Sequence, residues 1–241
     1  MKTYKVGVIR VLTTEDETVL NRHGKLLERY YPMFQVTSRC IPEQFEGVHD
    51  EETERQSIPK VVALAEEMYR EGFDAVIVSC AGDPGVEEAR KLLPIPVVGA
   101  GESVATLSLF FGERPAVLGI LDAAPKADRR LFGDKMVSCE RGQGIQSTLD
   151  LMTEEGFAKT VEKGREQKAA GADVIALSCT GMSTIGIAPS LEEALGIPVM
   201  DPVLCEGLMT LFALRRAEAA ELMKGGKGRT DGYTVCSHKR M

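Results

Sequence analysis

Residues 72–82 read GFDAVIVSCAG, and residues 171–181 read GADVIALSCTG. The two stretches align without gaps at an offset of 99 residues, and they share a pattern of Gly, Asp, Ser, Cys and Gly. Between the shared Asp and Ser, each stretch has only apolar residues, which is typical of a parallel strand buried on both faces. A repeat of this kind predicts two related α/β units in one chain.

Strand-like runs of apolar residues also flank both copies of the repeat. One run lies upstream of each copy, at residues 5–12 and 115–121, and another lies downstream, at residues 95–98 and 197–200. Amphipathic stretches separate most of these runs, which indicates strands that alternate with helices. We therefore expect an α/β fold of two pseudo-symmetric flavodoxin-like or Rossmann-like domains, with mainly parallel sheets and the site in the cleft between them.

The repeat also predicts where the halves begin and end. Residues 1–98, with a returning C-terminal helix at residues 203–224, are expected to form the N-terminal half. Residues 99–202 are expected to form the second half. Residues 225–241 begin with a glycine-rich segment and are interpreted as a tail, in which Cys236 and its neighbours carry no predicted site.

Three polar residues are predicted to cap helix N-termini. Thr14 is followed three residues later by a glutamate, which is the spacing of a capping box. Ser57 stands before a helical pattern of apolar residues. Asp83 precedes Pro84, a residue type favoured at the first helical position. The charged stretch 49–55 is interpreted as a solvated loop or helix face.

The composition excludes several classes of function. The 241 residues include 29 Lys and Arg against 36 Asp and Glu, giving a formal net charge of −7. This acidic balance does not suit binding to nucleic acid or to an anionic membrane, and the apolar runs are too short to cross a bilayer. The first residues resemble a strand and not a signal peptide, so we expect a cytoplasmic protein with reduced cysteines.

The motifs for metals and nucleotides are missing from the sequence. No two of the six cysteines have the spacing Cys-x-x-Cys, so a structural zinc site is not expected. The glycine-containing segment 99–103 lacks the third glycine of a dinucleotide-binding motif. The sequence therefore predicts neither a metal nor a cofactor, and the expected partner is a small-molecule substrate.

The repeat places Cys80 and Cys179 at equivalent points, directly after a predicted buried strand. Ligands of open α/β sheets bind at this edge. Backbone N–H groups at the start of a following helix favour a thiolate, so we expect the pKa of both thiols to fall towards neutrality. A lone cysteine here is usually a small buried apolar residue, but pseudo-symmetry brings these two to opposite sides of one cleft. The remaining cysteines have no such partner: Cys40, Cys139, Cys205 and Cys236.

Two opposed thiols suit the inversion of a carbon centre. One thiolate removes a proton from the carbon, and the opposite thiol returns a proton to the other face. The enolate that forms between these steps needs hydrogen-bond donors from the same turns. Hydroxyl groups are available at Ser79, Ser178 and Thr180, either for this purpose or for hydrogen bonds within the turns.

Four segments then resemble a known family: SCAGDPGVEEAR (79–90), VVGAGES (97–103), LSCTGMS (177–183) and IPVMDP (197–202). They are similar, in order and spacing, to the hydantoin racemase branch of the aspartate/glutamate racemase superfamily. The resemblance implies a single site between two domains, where Cys80 and Cys179 are the acid/base pair of a proton transfer that needs neither pyridoxal phosphate nor metal. It also implies a homo-oligomer. The predicted substrate-binding residues are Ser79, Ala81, Gly82, Thr180 and Gly181.

The sequence departs from the family pattern at two places. Many relatives have Asn-Pro-Asn after the first strand, where this chain has Arg10 and the residues up to Thr14. Aspartate and glutamate racemases usually have Asn-Thr after the first cysteine, where this chain has Ala81 and Gly82. The second departure favours a cyclic ureide, such as a 5-substituted hydantoin or allantoin. The first leaves two roles open for Arg10: binding a substrate carboxylate, or a surface or interdomain salt bridge.

Other functions stay open at this point. The same scaffold suits an aspartate/glutamate-type amino-acid racemase, or a related cysteine-dependent decarboxylase or isomerase. A redox dithiol switch is possible if Cys80 and Cys179 come within disulfide distance. A binding module without catalytic activity is the last alternative.

Overall fold

The computed structural model describes residues 2–147 and 149–225. The described residues contain two four-stranded sheets in which all neighbouring strands are parallel. The strands are β1 (Tyr4–Arg10), β2 (Phe34–Cys40), β3 (Ala75–Val78), β4 (Val97–Gly99), β5 (Pro115–Gly119), β6 (Cys139–Arg141), β7 (Val174–Leu177) and β8 (Val199–Met200). The α-helices are α1 (Glu17–Tyr30), α2 (Glu51–Arg70), α3 (Val86–Leu92), α4 (Ala100–Phe111), α5 (Lys126–Phe132), α6 (Glu154–Ala169), α7 (Thr180–Thr184), α8 (Ala188–Leu195) and α9 (Pro202–Gly225).

The two sheets have the same topology. Their strand orders are β2-β1-β3-β4 and β6-β5-β7-β8, so that β3 and β7 occupy corresponding places. Val78 of β3 pairs with Ile9 of β1, and Leu177 of β7 pairs with Leu118 of β5. Because Val78 and Leu177 are equivalent positions of the sequence repeat, both strand order and register are duplicated. The predicted α/β fold of two pseudo-symmetric domains with parallel sheets is confirmed.

The repeated strands lie at the centres of the two cores. All residues of β3 and β7 are buried. Val76 and Val78 pack against the side of the sheet covered by α2 and α3, whereas Ala75 and Ile77 pack against α1 and α9. Burial of each Val or Ile side chain contributes about 1.5–3 kcal/mol. The turns that follow these strands are therefore anchored in well-packed cores.

Two helices begin at residues other than those predicted. Asp16, and not Thr14, caps α1, because its carboxylate accepts hydrogen bonds from two backbone N–H groups of the first turn. The helix α2 is capped by Asp50, which forms a reciprocal capping box with Thr53. Ser57 therefore lies inside α2, and the predicted start at this residue is wrong. Both helices begin directly after an aspartate, a residue type that is strongly preferred at the N-cap.

Asp83 caps a different helix from the one predicted. Its carboxylate accepts hydrogen bonds from the N–H groups of Gly101 (2.8 Å) and Glu102 (2.6 Å), in the first turn of α4. The helix that follows Asp83, α3, begins at Val86 after Gly85, whose φ of 73° is left-handed. Glycine adopts this conformation without steric cost. The prediction for Asp83 is wrong because its side chain reaches the next strand–helix junction.

The long helix α9 contacts elements of both halves of the chain. It packs against α1, α4, β3 and β4 and also contacts α7. The assignment of residues 203–224 to the N-terminal half, and the division at residues 98 and 202, stay predictions. The predicted tail lies outside the described residues from residue 226 onwards. None of the described helices has the length and apolarity required to cross a membrane.

Candidate active site

The two repeated Ser-Cys turns lie against each other. Cys80 follows β3 and Cys179 follows β7, each at the carboxyl end of its strand. The hydroxyl of Thr180 donates a hydrogen bond to the main-chain oxygen of Ser79, at 3.3 Å. Both cysteines are free thiols and are partly accessible. The duplicated fold therefore brings equivalent turns of the two halves into direct contact.

Burial opposes ionisation of both thiols. It raises the pKa of Cys80 to about 12, although the N–H of Gly82 favours the thiolate. Burial also raises the pKa of Cys179, against the effect of the N–H groups of Gly181 and Met182. The predicted backbone donors are thus present at both turns. The expected fall in pKa is nevertheless wrong, because removing a thiolate from water outweighs these hydrogen bonds.

The two thiols have different charged neighbours. The charges of Asp83 and of Cys179 both raise the pKa of Cys80. The guanidinium group of Arg10 lowers the pKa of Cys179, and it also interacts with the charge of Cys80. Because ionisation of one sulfur disfavours ionisation of the other, the pair favours one thiolate over two. Burial nevertheless keeps the pKa of both thiols above the ordinary value.

Arg10 is a buried cation at the end of β1. The residue is 6% exposed, and one of its amino groups donates hydrogen bonds to the main-chain oxygens of Val19 (2.6 Å) and Leu20 (3.2 Å). Burial lowers the pKa of Arg10, whereas the charges of Cys80 and Cys179 raise it. Within the described part of the chain Arg10 forms no salt bridge. Its remaining N–H groups have no acceptor there, so they are available to an anion.

Three hydrogen bonds form a buried polar chain behind the two turns. His23 lies 2.8 Å from Ser79 through Nδ1 and 2.8 Å from Thr184 through Nε2. The hydroxyl of Ser79 donates to Oε1 of Glu206, also at 2.8 Å. Sequence reasoning did not identify His23, Thr184 or Glu206. In the sequence, a histidine and a glutamate interrupt the apolar patterns of α1 and α9. This pattern does not show that both side chains contact Ser79.

The predicted substrate-binding residues differ in accessibility. Ser79 is 2% exposed, and its hydroxyl already contacts His23 and Glu206. Ala81 is also buried. Gly82, Thr180 and Gly181 are partly exposed. The assignment of these five residues to substrate binding stays a prediction.

A pocket of about 200 Å³ opens beside the Cys80 turn. Gly82 and Asp83 form part of its wall, and neither thiol is among its described lining residues. Its opposite wall carries an ion pair between Lys126 and Glu54. The pocket therefore borders the Cys80 turn and has a charged surface.

The fold is found in solved structures of other proteins. An allantoin racemase from Klebsiella pneumoniae superposes with a TM-score of 0.68 at 22% identity, covering 93% of this chain and 89% of that chain. An allantoin racemase from Pseudomonas fluorescens superposes with a TM-score of 0.66 at 23% identity, covering 98% and 99%. The architecture is thus that of two-domain α/β racemases.

The sequence comparisons define the family. Residues 6–206 match the model of the Asp/Glu/Hydantoin racemase family. A hydantoin racemase from Pseudomonas sp. is 32% identical over 176 residues, which cover 70% of this chain and 68% of that protein. The chain belongs to the Asp/Glu/hydantoin racemase family. It is an enzyme of the isomerase class, a racemase.

Proposed function

We propose that the protein is a cofactor-independent racemase in which Cys80 and Cys179 act from opposite faces of one carbon atom. The observation that carries the proposal is the contact between the two repeated turns, made by Thr180 and Ser79. Each turn carries a free, partly accessible cysteine at the equivalent position. The proposed substrate is a 5-substituted hydantoin or allantoin, in line with the activities named for the similar proteins.

The proposed reaction balances within the thiol pair. A thiolate removes the proton from the stereogenic carbon and becomes a thiol, and the electron pair of the C–H bond moves into an enolate. The opposite thiol then protonates the other face of the carbon and becomes a thiolate. Proton transfer by a positioned acid or base contributes typically about 10²–10⁴-fold. One turnover therefore exchanges the roles of the two cysteines, and the reverse turnover restores them.

The directions of the pKa shifts bear on which cysteine acts as the thiolate and which as the thiol. The reaction requires one thiol and one thiolate at the same time. Mutual repulsion between the charges of Cys80 and Cys179 disfavours the state in which both are ionised. The positive charge of Arg10 lowers the pKa of Cys179 against the effect of burial, and we propose Cys179 as the thiol that ionises first.

Arg10 supports a second candidate, an aspartate/glutamate-type amino-acid racemase. Its buried guanidinium group has N–H donors without an acceptor among the described residues, and its charge acts on both thiols. A substrate carboxylate is a suitable partner, because a planar guanidinium group binds a carboxylate with two hydrogen bonds. A neutral hydantoin ring, in contrast, offers Arg10 only a carbonyl oxygen. A substrate panel separates the two candidates.

The test is racemisation in deuterated water with single enantiomers of 5-substituted hydantoins, allantoin, aspartate and glutamate. We expect inversion with one solvent deuterium incorporated at the carbon for a hydantoin or for allantoin. Inversion of aspartate or glutamate alone supports the second candidate. Release of carbon dioxide from a malonate-type substrate without inversion identifies a decarboxylase instead.

Cysteine variants test the mechanism itself. Cys80→Ser and Cys179→Ser are each expected to lose racemisation by at least about 10²-fold, because a serine hydroxyl is a far weaker acid than a thiol. Cys139→Ser is the matched control, since Cys139 is also a free and partly accessible cysteine but lies on the strand β6. Full activity in both active-site variants excludes the proposal. A reversible loss of two titratable thiols on oxidation, restored by reductant, supports a redox switch.

The cellular setting follows from the proposed chemistry. Free thiols persist in a reducing compartment, so we place the enzyme in the cytoplasm. We further propose that it is a homo-oligomer and that it acts on a small molecule without binding nucleic acid or membrane. Sedimentation at several protein concentrations measures the oligomeric state, and a monomer at all of them contradicts that part of the proposal.

A further inference from the structure

The buried polar chain joins four separate elements of the fold. Thr184 lies at the end of α7, His23 in α1, Ser79 after β3, and Glu206 in α9. His23 and Glu206 have no exposed surface, and Ser79 is 2% exposed. Each of the three hydrogen bonds is 2.8 Å long. The chain is therefore a continuous connection through the interior behind both cysteine turns.

The ring of His23 is neutral and connects two hydroxyl groups. Burial, and then the charge of Arg10, lower the pKa of His23 well below its ordinary value, against the effect of the main-chain carbonyl of Thr180. A neutral imidazole ring has one N–H donor and one acceptor nitrogen. It can therefore form a hydrogen bond with the hydroxyl of Ser79 on one side and with the hydroxyl of Thr184 on the other.

The two ends of this chain adjoin the two thiols. Ser79 directly precedes Cys80, and Thr184 belongs to α7, the short helix whose N-cap residue is Cys179. His23 contacts both sides through opposite nitrogens of a rigid ring. The ring thus connects the two turns through two hydrogen bonds.

We propose that His23 is a positioning residue that holds the Cys80 and Cys179 turns at the separation required for proton transfer to opposite faces, and that Glu206, through Ser79, fixes its orientation. The inference rests on the proposed two-thiol function. Apolar side chains of similar volume would fill this space with comparable stability, whereas a polar network selects one geometry through its directional hydrogen bonds. Oε2 of Glu206 has no hydrogen-bond partner among the described residues, so this network is kept at a cost in stability.

Thr184→Val gives the sharpest test. Valine has nearly the same volume as threonine but no hydroxyl, and the contact of His23 with Ser79 stays intact. We expect kcat to fall by at least about tenfold with a much smaller change in KM, since small displacements of reacting groups reduce rates strongly. Thr184→Ser is expected to restore activity, because serine keeps the hydroxyl. Thr18→Val, on the exposed first turn of α1, is the matched control.

The decisive measurement is the partition of the enolate in deuterated water. Displaced turns should increase the fraction of deuterium that returns to the starting enantiomer, relative to inverted product. A loss of stability alone reduces the amount of active enzyme and leaves this partition unchanged. We expect the partition to change in Thr184→Val and in His23→Gln, and to stay as in the parent enzyme in Thr184→Ser and Thr18→Val.

The outcomes separate this inference from the proposed function. If Thr184→Val keeps the parent kcat and partition, His23 does not position the turns and the inference is wrong, even where His23→Gln fails to fold. If Cys80→Ser and Cys179→Ser keep full racemisation, the two-thiol function fails first. Loss of activity in the cysteine variants together with an unchanged partition in Thr184→Val rejects the positioning role alone.

Discussion

Asp128 is a buried carboxyl group that should make the stability of the protein strongly dependent on pH. It lies in α5 with no exposed surface, and neither of its carboxylate oxygens has a hydrogen-bond partner among the described residues. Burial, followed by the negative charge of Asp83, raises its pKa from 3.8 to about 7. The folded protein therefore binds this proton more tightly than the unfolded chain does.

The sign and size of the effect follow from proton linkage. A carboxyl group with a raised pKa stabilises the fold fully at pH values below 3.8, and this contribution is lost as the pH rises to about 7. Each pH unit between the two pKa values costs about 1.4 kcal/mol of unfolding free energy. Between about pH 5 and about pH 8, Asp128 is therefore expected to reduce the stability by about 3 kcal/mol.

Asp128→Asn removes the charge at every pH. We expect the stability loss of the parent protein between about pH 5 and about pH 8 to shrink by about 3 kcal/mol in this variant. Urea unfolding followed by circular dichroism at both pH values measures the difference, and the exposed Asp134→Asn is the control. A change of less than about 0.5 kcal/mol, the usual range for surface substitutions, refutes the reasoning.

Two further predictions concern the site and the junction beside it. Arg10→Met should raise the pKa of Cys179 and shift the rising limb of the pH–rate profile to higher pH, because the guanidinium charge lowers that pKa; Arg10→Lys keeps the charge, and an unshifted profile in Arg10→Met contradicts the assignment. Gly101→Ala should destabilise the fold by about 1–3 kcal/mol in urea unfolding, because a Cβ there collides with the main-chain oxygen of Ala81. Gly82→Ala, whose Cβ meets only ordinary contacts, is the control, and equal stability of both variants contradicts this account.

The sequence was most informative where burial is complete on both faces. The bounds of β3 and β7 were predicted to the residue, because only central strands require uninterrupted apolar runs. The strand β6 was not predicted, because its three residues Cys-Glu-Arg are half-buried at a sheet edge and carry no apolar pattern. Helix starts were misplaced where two capping residues compete within a few positions, as Thr14 and Asp16 do.

The candidate site was partly predictable for a different reason. The repeat identified the two cysteines directly, because the same motif occurs twice in one sequence. Their raised pKa values were not predicted, because burial of the sulfurs depends on how the two halves pack together. His23 and Glu206 were missed as well, because their connection through Ser79 exists only in three dimensions.

Duplication alone would give two equivalent thiols, whereas a two-base mechanism needs two thiols in different protonation states. The surroundings of the repeated turns supply this difference. The Cys80 turn continues into Asp83, whose charge opposes a thiolate. The charge of Arg10, which belongs to the first strand of the other half, lowers the pKa of Cys179. In the proposed mechanism this asymmetry makes Cys179 the thiol that ionises first. The enantiomer that presents its proton to Cys179 then reacts directly, while its mirror image first requires the proton to move between the sulfurs.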